Sequence, residues 1–304
     1  MDPLTAVLAS IIAAGTPLLL AAAGELVVER SGVLNLGVEG MMLTGAIAAF
    51  ATATTSGNPH LGILAAALAG ALLALLFGLL TLTLLANQVA SGLALTIFGV
   101  GLSSLLGAGF VGVPGERLPR LDIPGLSAWP LVGPVLFRHD ILVYLGLLLP
   151  PGLALFLRRT RAGRILRACG ENADAAHALG HPVIRVRYLA LLFGGATSGL
   201  AGAFLSLSYT PLWIEEMTAG RGWIALALVV FASWSPWRLL LGAWLFGGVT
   251  ILELHAQGLG LVAVPAQVLS MLPYLATIAV LLVIARSGRL RAPACLGRPF
   301  HPPV

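Results

Sequence analysis

Long apolar runs separated by short polar breaks fill most of the chain. A bilayer span needs about 20 apolar residues. Residues 4–23, 33–55, 61–85, 141–157, 188–209, 239–254 and 264–285 each supply a run of that kind. Another follows the polar residues Asn87, Gln88 and Ser91 and ends near Phe110. Residues 217–233 supply a marginal seventh pass or a re-entrant segment. The pattern predicts an all-α polytopic membrane protein with about nine transmembrane helices, eight to ten, some of them broken or kinked. Pro17, Pro150, Pro151 and Pro273 mark the kinks. The loop 111–140 carries five prolines and has room for a short surface helix. The whole chain, 1–304, is expected to be one integral membrane domain.

One polar stretch interrupts this pattern. Residues 158–187 hold seven of the 17 basic residues, with an apolar run on each side. The tail, 286–304, adds four more arginines. Arginine accumulates in cytoplasmic loops, so both segments are expected in the cytoplasm, the tail included. Counting spans backwards puts the N-terminus outside in a multi-pass arrangement.

Composition narrows the class. The chain is 58% hydrophobic and only 10% charged, with a mean hydropathy of +0.98. Soluble domains carry about 25% charged residues, so a soluble globular fold is excluded. The formal charge of +5 does not indicate nucleic acid, because the arginines lie between apolar spans. No lysine occurs, and a Walker A loop needs one. The chain is therefore not itself an ordinary P-loop ATPase, and no nucleophile motif marks it as an enzyme. The two cysteines fall in the segments assigned to the cytoplasm, where a disulfide is disfavoured. The histidines show no metal-ligand spacing, and no metal is expected.

Several residues are candidates for function. Residues 171–179 are good helix formers, and His181-Pro182 would end such a helix after Gly180. Glu171 and Asp174 would sit at its N-terminal end, where the helix dipole favours acid. Ala175 and Ala176 are small enough to seat in a partner's groove. The same residues also suit a solvated topogenic loop. Asn35 and Glu39 stand one helical turn apart in the second span. An acid within a bilayer costs about 3 kcal/mol on insertion scales, so both are candidates for a substrate path. Gly37 and Gly40 could break the helix beside them. Polar packing, with Glu39 paired to Arg30 or capping a helix, is the competing reading. Asn87, Gln88 and Ser91 share a helical face by spacing; their donors and acceptors suit a nucleoside or interhelical bonds. Gly195, Gly199 and Gly202 would let another helix approach closely. The tryptophans at 213, 223, 234, 237 and 244 read as an interfacial belt.

Five ordered blocks carry a family resemblance. ERSGVLNLGVEGMMLTGA (29–46), NQVASGLAL (87–95), GENADAAHALGHPVIRVR (170–187), RGWIALALVVFASWSPWRLLLGAWLFGG (221–248) and LPYLATIAVLLV with RAPACLG near the C-terminus resemble the nucleoside and simple-sugar permeases of bacterial ATP-binding-cassette importers. These work with basic-membrane-lipoprotein-type binding proteins and are distantly similar to ribose and branched-chain amino-acid permeases. Importer permeases generally carry Glu-Ala-Ala, three residues, then Gly. Here the loop reads Asp174-Ala175-Ala176 with Gly180. The resemblance implies that Glu171, Asp174, Ala175, Ala176 and Gly180 form a coupling helix against a cytoplasmic ATP-binding subunit. It implies a second related permease chain, an extracytoplasmic substrate-binding lipoprotein, and a nucleoside or else a sugar as solute. No cofactor is expected on this chain; ATP and Mg belong to the ATPase. An ion-coupled secondary transporter is the rival, with Glu39 as its one deep acid and Glu253 nearer a span end.

Overall fold

The computed structural model describes residues 3–258 apart from 123, 128, 130 and 131, together with 271, 275, 278, 279, 282 and 292–301. The chain is mostly helical. Its helices are α1 (Pro3–Arg30), α2 (Val38–Ser56), α3 (Pro59–Gly78), α4 (Gln88–Gly107), α5 (Val132–Leu136), α6 (Ile141–Arg159), α7 (Arg161–Glu171), α8 (Ala173–Ala178), α9 (Val183–Phe204), α10 (Arg221–Phe231) and α11 (Pro236–Gly258). A two-residue antiparallel ladder, β1 (Leu121–Asp122) on β2 (Arg138–His139), clasps the 111–140 loop around α5. The all-helical expectation did not include it.

Among the described residues, six helices are long and apolar enough to cross a membrane: Leu4–Arg30, Pro59–Thr83, Gln88–Phe110, Ile141–Arg159, Val183–Tyr209 and Pro236–His255. The expected span at 264–285 lies outside the described residues. α10 has 11 residues, about 16 Å at 1.5 Å per residue, and is too short to cross alone. Both α3 and α9 finish in a π-helical turn, Leu79–Thr83 and Leu205–Tyr209. These wider turns bend the helix ends and lengthen the two elements.

α2 is the centre of the fold, yet it is not one of the six. Glu39, two glycines and four threonines lower its hydropathy. It needs no lipid-compatible surface, because α3, α4, α9 and α10 surround it. Close backbone approach makes this possible. A Cβ at Gly45 would meet the Gly199 backbone of α9, one at Gly202 the Met42 carbonyl, and one at Gly99 of α4 the Gly40 backbone. Gly195 and Gly199 face α3, where a Cβ would overlap Gly70, Ala74 or Ala66. The outward faces of α3 and α4 present Leu64, Leu68 and Leu72, and Leu93, Ile97 and Leu105.

The second expected span starts later than its apolar run. Residues 31–37 are not helical, and the helix begins at Val38. Asn35 therefore does not stand one helical turn from Glu39. Its own side chain accepts a hydrogen bond from Gly37 N at 3.0 Å, a local turn that competes with helix. Five residues earlier than expected, α9 begins at Val183. Arg185 and Arg187 thus belong to the helix, and Arg187 is buried.

Candidate functional site

Two non-helical stretches, each leading into a helix, meet at one carboxylate. The first is the extended 31–37 stretch leading into α2. The second is the non-helical 210–220 segment leading into α10. Glu39, in the first turn of α2, is buried. Its Oε1 accepts hydrogen bonds from Thr218 Oγ1 at 2.6 Å and Gly220 N at 2.8 Å. Its Oε2 accepts one from Gly222 N at 2.5 Å. Glu39 therefore caps the N-terminus of α10, where free N–H groups and the helix dipole favour an anion. Arg30 lies elsewhere, bonded to the Trp234 carbonyl and 3.9 Å from Glu171. A Cβ at Gly222 would strike the Glu39 backbone, so glycine is what lets the two helix starts touch.

The other polar candidates line the same stretch. Glu25 of α1, buried, accepts from Asn35 N at 3.2 Å and from Asn35 Nδ2 at 3.4 Å. Gln88 Oε1 accepts from Leu34 N at 2.8 Å. Gln88 Nε2 is buried with no partner among the described residues. Thr96 Oγ1 donates to the Leu36 carbonyl at 3.0 Å. The 33–37 stretch is thus held by side chains from α1 and α4, which satisfy backbone groups that a helix would have satisfied itself. Asn87, Gln88 and Ser91 do not share one face. Asn87 is the exposed N-cap of α4, accepting from Ala90 N at 3.0 Å; Gln88 is buried and Ser91 half-buried. Capping asparagine sits outside the helical register, which defeats the spacing argument.

The arginine-rich segment folds into two helices. α7 is amphipathic, with Leu166 and Cys169 buried and Arg161 and Arg164 exposed. Asn172 ends α7 and caps α8, its Oδ1 accepting from Ala175 N at 2.9 Å. Glu171 is therefore the last residue of α7, not the start of the next helix. Asp174 alone occupies the first turn of α8. Ala176 is buried, whereas Asp174, Ala175, Leu179 and Gly180 are exposed. Leu179 is 77% exposed, and Gly180 takes φ +83°, the left-handed turn that ends the helix.

Beneath α8 lies the tail. Cys295 N donates to the Gly170 carbonyl at 2.9 Å, and Gly297 N donates to the Gly32 carbonyl at 3.1 Å. Phe300 packs with Cys169, Ala173, Ala176 and Val183, and its ring meets His177 edge-on. Arg187 ties these parts together. Its Nε donates to the Ser31 carbonyl at 3.2 Å, its Nη1 to the Arg298 carbonyl at 3.3 Å, and its guanidinium lies 5.9 Å over Phe300. Both cysteines are free thiols. Burial pushes the Cys169 thiol up in pKa, against a lowering by Arg187. Sequence reasoning missed α7 and this tail platform. Ala162, Ile165, Leu166 and Cys169, at three- and four-residue spacing, were the available signal.

Two tryptophans depart from an interfacial belt. Trp213 is buried against Phe50 and Gly107, and Trp234 is buried with its indole N–H donating to Glu29 at 2.5 Å. Each serves as a packing or hydrogen-bonding wedge between helices.

The model of the family described as branched-chain amino acid transport system / permease component matches residues 7–281. A putative glucose ABC transporter permease protein of Haloferax volcanii is 42% identical over 95% of this chain and 95% of its own. A nucleoside ABC transporter permease protein of Lactococcus lactis is 32% identical over 98% of this chain and 97% of its own. A guanosine ABC transporter permease protein of Bacillus subtilis is 31% identical over 93% and 92%.

Proposed function

The chain belongs to the family described as branched-chain amino acid transport system / permease component and is a permease subunit of an ABC transporter, and from that premise we propose that it forms half of the path of a nucleoside importer. The observation that carries the nucleoside reading is the similarity to the nucleoside and guanosine permeases across more than nine-tenths of each chain. A simple sugar is the second reading, favoured by the higher identity to the putative glucose permease.

The geometry at Glu39 supports an uncharged solute. Broken transporter helices commonly aim their positive N-terminal ends at an anionic group of the substrate. Here the protein's own carboxylate occupies the start of α10 from within the first turn of α2. That end is neutralised before any solute arrives, which suits a nucleoside or sugar better than a carboxylate. Asn35 and Glu39 act as walls of the path. Gln88, with its unpaired amide N–H groups, and the less buried Asn87 and Ser91 are the side chains that contact solute.

The six long helices and the two broken passes at 31–56 and 210–231 make eight among the described residues; the expected ninth, 264–285, lies outside them. The position of the tail against α7 and the 31–32 turn supports an odd number of passes between the N-terminus and the tail. The N-terminus is then outside and the tail cytoplasmic, in the plasma membrane. A cytoplasmic ATPase supplies ATP and Mg and docks on the outer face of α8, at Asp174, Ala175, Leu179 and Gly180. A second permease chain completes the path, and a binding lipoprotein delivers solute. Transport requires two states that bind solute differently, and α8 passes the ATPase movement to them.

The test is uptake of radiolabelled guanosine by cells carrying the whole system, with unlabelled adenosine or glucose as competitor. Competition by adenosine but not glucose is expected. Competition by glucose alone replaces nucleoside with sugar, and uptake that collapses with a protonophore at constant ATP replaces the ATP-driven mechanism itself.

A further inference from the structure

Three arginines from three helices converge on one small pocket. Arg30 ends α1, Arg158 lies in the last turn of α6, and Arg167 lies on α7. They line a cavity of about 190 Å³ together with Trp234 and Ser235 of the turn between α10 and α11. The cavity is several times the ~30 Å³ that a water occupies in the liquid. The charge there is poorly balanced. Arg30 has Glu171 at 3.9 Å, and that carboxylate is largely exposed. The buried Glu29 carboxylate accepts from the Trp234 indole. Arg30 Nη2 donates to the Trp234 carbonyl at 3.1 Å. The Nε atoms of both Arg30 and Arg167 are buried with no hydrogen-bond partner among the described residues. A buried donor without an acceptor is costly, more so when it is charged.

We propose that this pocket binds a phosphate group, presented by the headgroup of an anionic phospholipid. A tetrahedral oxyanion offers several acceptor oxygens to guanidinium forks arriving from different directions. Glu171 reaches only Arg30 and Glu29 is taken by the Trp234 indole, so among the described residues neither carboxylate forms an ion pair with Arg158 or Arg167. The pocket's depth identifies the source. It sits where α1 and α6 end and α11 begins, the plane of a bilayer's headgroups. Basic pockets between membrane helices at that depth hold anionic headgroups. Lipid bound there would bridge α1, α6, α7 and the α10–α11 turn with one multivalent anion.

The experiment uses the full chain purified in detergent, with bound lipid counted by native mass spectrometry. Phosphatidylglycerol and phosphatidylcholine of the same acyl chains are titrated in parallel, and inorganic phosphate is added as a soluble competitor. The variants are Arg158→Gln, Arg158→Gln/Arg167→Gln, and Arg164→Gln as an exposed α7 arginine outside the pocket. Phosphatidylglycerol is expected to bind in preference to phosphatidylcholine. The double variant weakens it at least about a hundredfold, as loss of two charge-assisted bonds requires, while Arg164→Gln leaves it in place. Displacement of the lipid by millimolar phosphate supports the site and makes a soluble phosphate an equal occupant. Equal binding of the two lipids overturns the proposal. So does a loss with Arg164→Gln that matches the pocket variants. Should the double variant not fold, Arg158→Gln alone decides, because the Arg158 side chain is exposed.

Discussion

Glu39 shows what a single side chain contributes here. Its three short hydrogen bonds are charge-assisted, a class in which each bond contributes about 1.5–3 kcal/mol. Glu39→Ala should lower the thermal unfolding midpoint in detergent sharply, with Glu39→Gln intermediate. A carboxylate that served only to contact solute would lose uptake with an unchanged midpoint. Nothing local in the sequence announced this role, because Thr218 lies 179 residues away. What the sequence did disclose was the cost of an acid in an apolar run, and hence that Glu39 must have partners. The glycines permit a second test at this scale. In an exposed helix interior, Gly→Ala stabilises by about 1 kcal/mol. At Gly202 the sign should reverse, since the new methyl would overlap the Met42 carbonyl. At Gly101, where a Cβ meets nothing, the substitution should be harmless. Membrane abundance of the two variants distinguishes these outcomes.

Among the elements, long apolar helices were the legible ones. α1, α3, α4, α6, α9 and α11 all follow runs that length and hydropathy marked. The start of α2 was not legible, because Val33-Leu34-Asn35-Leu36 is as apolar as the helix it precedes. The turn at Asn35 and the bonds to Glu25, Gln88 and Thr96 keep that stretch out of the helix. The arginine-rich segment was legible as a polar loop with one helix over 171–179, but not as two helices around a capping asparagine. This distinction matters for the drive contact. Ala175→Arg places a large cation on the exposed face of α8. It should abolish uptake and ATPase co-purification with the permease still folded. Ala176→Arg would force a charge into the cluster around Phe300, so its loss of uptake should come with loss of protein. A thiol-labelling measurement reads the same platform. Maleimide should reach the half-buried Cys295 before the buried Cys169. Because burial raises the Cys169 pKa, that thiol stays protonated at neutral pH, and its labelling should climb only at alkaline pH. Phe300→Ala should open the cluster and speed it.

Across the whole molecule, α2 sits inside a ring of α3, α4, α9 and α10, and the starts of α2 and α10 share one carboxylate. Any rearrangement that exposes a solute path must carry the starts of α2 and α10 together or break the Glu39 bonds. Gly99→Ala, whose methyl would strike the Gly40 backbone, should therefore prise α4 from α2 and lower the unfolding midpoint in detergent, whereas an unchanged midpoint would show that α4 is free to slide past α2.

The tail has a consequence for how the protein is made. Arg187 holds the Arg298 carbonyl across 111 residues of sequence, and Phe300 fills the space under α8. Ribosomes add roughly 5–20 residues per second, so α8 waits on the order of ten seconds for the segment that seats it. Until then its alanines face an unfilled hollow. On the docking proposed at α8, the contact for an ATPase is finished only once Phe300 has been made and seated.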